Sequence, residues 1–84
     1  MEKCYITFRS VTYAQRGERV LQGAGIRCTL QRTPKWMEQQ GCGYCLGLRL
    51  AEVNRAVELL RMRQVPLRRV YVSHGDGSMK EMGL

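Results

Sequence analysis

This chain is short of histidine, proline, large aromatic side chains and negative charge. Its 84 residues include one His, two Pro, one Trp, one Phe and 7 Asp+Glu against 14 Lys+Arg. Each scarcity closes off a class of function. His74 alone offers no second imidazole for a zinc site, and no His-and-carboxylate set that would activate a hydrolytic cysteine. No apolar run approaches the roughly 20 residues that span a bilayer, so no membrane partner is expected. Met1-Glu2-Lys3-Cys4 runs straight into a strand-like segment without a signal-peptide pattern, which leads us to expect a cytoplasmic protein. A chain of this size supports one small core with little room for a deep pocket. A carrier or binding module is therefore expected rather than an enzyme with turnover, with no resident cofactor or metal.

What the chain does have is positive charge, backbone glycine and thiols. The net charge of +7 comes mostly from arginine, since Lys3, Lys35 and Lys80 are the only lysines. Such a balance attracts nucleic acid, acidic protein surfaces or small anions, and it also keeps a small protein soluble. Four cysteines in a reducing compartment point to free, reactive or metal-bound thiols rather than to a disulfide framework.

The apolar pattern alternates between period two and the helical period. Lys3 to Phe8 places Cys4, Ile6 and Phe8 on one face of a strand. Ser10 is a natural helix N-cap, and Val11, Ala14, Gly17, Leu21 and Ala24 form a helical stripe weakened by Gly17 and ended by Gly23 and Gly25. Ile26 to Arg32 is a second strand with Ile26, Cys28 and Leu30 inward. Thr33 to Gly43, with Pro34 and Gly41, has no clear period and reads as a long, functional loop in which Trp36 packs onto the domain. Tyr44 to Leu50 is a third strand with Tyr44, Leu46, Leu48 and Leu50 inward. Val53, Ala56, Val57 and Leu60 mark a second helix, which Pro66 stops, and Arg68 to Ser73 is a fourth strand. The order β-α-β-β-α-β predicts an α+β, ferredoxin-like fold: a four-stranded antiparallel sheet with two helices on one face. A single domain is expected over 1–73, followed by a flexible C-terminal tail over 74–84.

The face away from the helices would then present Tyr5, Thr7, Arg27, Thr29, Gln31, Cys45, Gly47, Arg49, Arg69 and Tyr71. A basic sheet with exposed aromatics is how RNA-recognition modules stack bases, so an RNA-binding reading stands beside a homodimer or protein-binding use of the same face. The third strand lacks the aromatic run of those modules.

Gly41-Cys42-Gly43-Tyr44-Cys45 is the densest chemical signal. Two thiols three positions apart suit redox exchange, half of a zinc site, or a carrier thiol with a resolving partner. In thioredoxins such a pair opens a helix, whereas here it opens a strand. Zinc would need Cys4, Cys28 or His74 as further ligands, and both of those cysteines fall on the inward face. The plain alternative is a glycine-rich turn whose cysteines fill space. Gly41 and Gly43 allow a partner close approach to Cys42.

Gly23-Ala24-Gly25-Ile26, Arg32-Thr33-Pro34-Lys35, Gly41-Cys42-Gly43 and Leu48-Arg49-Leu50 together resemble the selenium/sulfur carrier protein-like family of small bacterial proteins, over about Tyr5 to Tyr71. The resemblance implies a cytoplasmic carrier that holds sulfur or selenium on the cysteine of Gly-Cys-Gly, here Cys42, between a donor such as a cysteine desulfurase and an acceptor protein. Cys45 departs from the family pattern, and is either a resolving thiol or a neutral change. Gly41, Gly43, Arg32, Lys35 and Arg49 are the expected groups around the carried atom, the cations stabilising its anion.

Overall fold

The computed structural model describes residues 3–33, 43–73 and 79–82. Its elements are β1 (Lys3–Thr7), α1 (Val11–Gly23), β2 (Cys28–Arg32), β3 (Tyr44–Arg49), a 3-10 turn at Leu50–Glu52, α2 (Val53–Met62), β4 (Val70–Ser73) and β5 (Met79–Glu81). All strand pairs are antiparallel, in the order β2-β3-β1-β4-β5. The α+β class holds, but the four-stranded ferredoxin-like sheet expected from the element order is corrected to five strands. The fifth comes from the expected tail: Lys80 pairs with Val72 and Glu81 with Tyr71. A strand of three residues, Met-Lys-Glu, is too short to show an apolar period of its own, so its partner strand specifies it.

Local chemistry sets the helix ends. The Ser10 hydroxyl accepts from the Tyr13 N–H at 3.2 Å, as an N-cap should. At the far end of α1, Gly25 has φ 81°, and the Ile26 N–H reaches back to the Leu21 carbonyl at 2.9 Å. α2 ends in the same Schellman reversal, with Gln64 at φ 57° and the Val65 N–H on the Leu60 carbonyl at 2.8 Å. The helix thus stops at Met62, ahead of Pro66, because the left-handed residue has already turned the chain. Arg55 on α2 donates to the Ala24 carbonyl at 3.0 Å and ties the two helix ends together.

The core lies between the helices and one face of the sheet. Cys4, Ile6, Leu46, Leu48, Val70 and Val72 meet Ala14 and Leu21 of α1 and Val53, Ala56, Val57 and Leu60 of α2. Val11, read as part of the apolar stripe, is instead exposed. Gly17, read as a weakness of α1, is a packing requirement: a Cβ there would stand 3.1 Å from Phe8 Cζ and 3.3 Å from both Leu46 Cδ1 and Leu60 Cδ2. The helix lies down on the sheet because this position has no side chain.

Candidate functional site

The two ends of the sheet differ in chemistry. At one end, β2 and β3 close a stem around residues 34–42. Arg32 stands opposite Tyr44 in the ladder, with its guanidinium carbon 5.5 Å from the ring centroid. The Thr33 N–H donates to the Gly43 carbonyl at 2.9 Å. Gly43 is buried and has φ 84°, a conformation that L side chains adopt only at a cost. Cys42, Gly41 and Lys35 lie outside the described residues, as do Trp36 and His74. Of the expected site residues, the structure therefore brings Gly43 and Arg32 to this stem. Arg49 it does not: six residues farther along β3, its Cα is roughly 20 Å from that of Gly43. Alternation places Arg49 and Cys45 on one face, but distance along the strand puts them at opposite ends.

Cys45 sits in β3 between Thr7 of β1 and Gln31 of β2. It is fully buried, not displayed on an open face as the alternation suggests. Thr7 and Tyr71, expected on the same open face, are buried too, at 6% and 7% exposure. The Thr7 hydroxyl accepts from the Arg69 N–H at 3.1 Å, and the backbone bonds Thr7 N–H to Arg69 carbonyl and Arg68 N–H to Thr7 carbonyl extend the β1–β4 ladder. Period two assigns a face but says nothing about what covers it. With Tyr71 buried and Tyr5 half-buried, the expected stacking platform for RNA bases is reduced.

The other described thiols belong to the scaffold. Cys4 is sealed in the core, and burial pushes its pKa up from 9.0 to about 12, so it stays neutral at physiological pH. Cys28 is half-buried beside α1, its Sγ 3.9 Å from the Glu18 carbonyl oxygen. Burial first, and the Glu18 carboxylate second, raise its pKa. Neither has the ionised, accessible character of a sulfur nucleophile. Among the described residues, no three metal-ligating side chains come together.

The sequence pattern of the family described as Putative Se/S carrier protein-like matches residues 3–72, from the first residue of β1 into β4. The chain belongs to that family. The match runs through the stem and Cys42 and covers both helices, so the carrier family as a whole, rather than one motif, is what this chain shares. No curated protein and no solved structure gives a significant match.

Sequence reasoning missed two pairings. Arg69, expected as an open cation, is ion-paired at 2.9 Å with Glu81 of β5, whose carboxylate holds it firmly protonated. Lys3, not singled out in sequence, lies directly opposite Arg49 in the β1–β3 ladder. The signal was strand register, which a single sequence does not print.

Proposed function

We propose that the protein carries sulfur or selenium on Cys42, in the cytoplasm, between a donor protein and an acceptor protein, without turnover of its own. Membership of the carrier family supports the class, and the state of the other thiols supports the residue: Cys4 and Cys45 are buried, and Cys28 is half-buried with a raised pKa. The unsuitability of those three thiols is the observation on which the reading rests. In the loading step the Cys42 thiolate attacks the outer sulfur of a donor persulfide, a new S–S bond forms on Cys42, and the donor thiolate leaves. The transfer is redox-neutral, and a nucleophile on the acceptor reverses it by taking the outer sulfur and releasing the Cys42 thiolate. Gly43, held left-handed at the stem, lets the backbone take a turn there that a side chain would strain. Of the two described arginines expected to stabilise the carried anion, Arg32 lies at the stem beside Gly43, whereas Arg49 lies far along β3 and is given no part. Buried Cys45 is given no step.

The test is incubation with a cysteine desulfurase and cysteine, followed by intact-mass measurement. One added sulfur on wild type, absent from Cys42→Ser and retained in Cys45→Ser, is the expected result. Equal loading of wild type and Cys42→Ser would remove the carrier assignment.

A further inference from the structure

The end of the sheet away from Gly43 carries a groove of about 500 Å³ on the face opposite the helices, extending around the start of β2. Three cations border it. Lys3 and Arg49 are direct cross-strand partners, and Arg27, one residue before β2, stands beside Arg49 because Cys28 pairs with Leu48. Register alone therefore sets three cations side by side, an arrangement that like-charge pairing in a sheet disfavours. Neither ion pair found among the described residues, Arg55–Glu52 or Arg69–Glu81, involves any of the three. No carboxylate lines the groove among the described residues.

The next open-face row supplies a floor. Gly47 is paired with Thr29 on one side and Tyr5 on the other, and the side chains of Gln31 and Tyr5 lean in beside it. A Cβ on Gly47 would lie 3.2 Å from Gln31 Oε1 and 3.4 Å from Tyr5 Cε1, so any side chain there would push both groups aside. An aromatic edge and an amide that both donates and accepts make a surface for a planar polar ring. The volume lies in the range that holds a small ligand rather than a bare ion.

The geometry points to a binding site for a mononucleotide-sized phosphate ester, its phosphate on Lys3, Arg27 and Arg49 and its ring against Tyr5 and Gln31. A strand of RNA fits less well. Continuing across the sheet it would meet buried Tyr71 and then the Arg69–Glu81 ion pair, where the cation is already matched by a carboxylate. The site is independent of the carrier reading, since it lies at the other end of β3 from the Cys42 stem.

Titration calorimetry of the full chain with AMP, adenosine, inorganic phosphate and a short oligouridylate tests it. AMP is expected to bind at least about tenfold more tightly than adenosine or inorganic phosphate, and more weakly as salt is raised. Arg49→Ala should lose about tenfold in affinity, the scale of one charge-assisted contact. Gly47→Val should abolish binding while keeping the strand, since valine suits a pleated surface and the Gln31 amide can swing aside; a circular-dichroism melt checks the fold. Cys42→Ser and the remote Arg61→Ala should bind as wild type, which separates this site from the carrier assignment. No binding of AMP, binding no tighter than inorganic phosphate, equal loss in Arg61→Ala, or oligouridylate binding far more tightly than AMP would each overturn the proposal.

Discussion

Arg32 and Tyr44 face each other across the last rung of the β2–β3 ladder, the guanidinium over the ring at 5.5 Å, and so clasp the stem from which Cys42 departs. Arg32 is exposed, so the clasp contributes about 0.5–1 kcal/mol. Arg32→Ala is expected to lower unfolding free energy by about that amount in urea titration. If the cation also stabilises the carried anion, sulfur loading should slow in Arg32→Ala and recover partly in Arg32→Lys.

The backbone at Gly43 answers to a different constraint. At φ 84° an alanine is strained, and Gly43→Ala should cost about 1–2 kcal/mol, read as a lower denaturation midpoint at unchanged slope. Gly43→Asn should cost less, because asparagine tolerates the left-handed region.

The opposite substitution should help at the end of α2. Gln64 already holds φ 57° where α1 uses Gly25. Gln64→Gly should stabilise the protein by about 0.5–1 kcal/mol, the relief of αL strain exceeding the added freedom of the unfolded chain. In α1, by contrast, Gly17→Ala gains about 1 kcal/mol of helix propensity, yet its Cβ meets three packed side chains at 3.1–3.3 Å. A net loss of about 1 kcal/mol is expected there by thermal melting.

Repulsion between Lys3 and Arg49 is measurable without any ligand. Arg49→Gln should raise the unfolding free energy by a few tenths of a kcal/mol at low ionic strength, and the gain should shrink as salt screens the pair.

Cys4 makes stability depend on alkaline pH. Its folded pKa of about 12 exceeds the ordinary thiol value of 9.0, so the folded state keeps a proton that the unfolded state gives up. The associated stability is complete below pH 9.0 and is lost as pH rises toward about 12. Denaturation midpoints of wild type should therefore fall across that window more steeply than those of Cys4→Ala. Near neutral pH, a limiting alkylating reagent should label Cys42 before Cys4, Cys28 or Cys45.

Much of this was legible in the residues taken one after another. Alternation at Cys4-Tyr5-Ile6 and at Leu46-Gly47-Leu48 marks strands and names their core face, Ser10 and Gly25 mark the limits of α1, and the Gly-Cys-Gly segment with its flanks carries the family. These are local signals, set by side-chain period and by the few residues that tolerate cap and turn conformations.

Other features need strands that are far apart in the chain. Pairing of Met79–Glu81 with β4 converts an expected tail into a strand and neutralises Arg69 through Glu81. Register sets Lys3 against Arg49 and separates Arg49 from Gly43. Burial of Thr7, Cys45 and Tyr71 on a face that alternation reads as open is likewise non-local. By itself the sequence determined the first four strands, both helices, the core face of β1 and β3 and which family the chain resembles, because those depend on neighbours a few positions away. Only the tertiary structure decided which charges meet and which thiols are shut away from solvent, because coverage and register are properties of the assembled sheet.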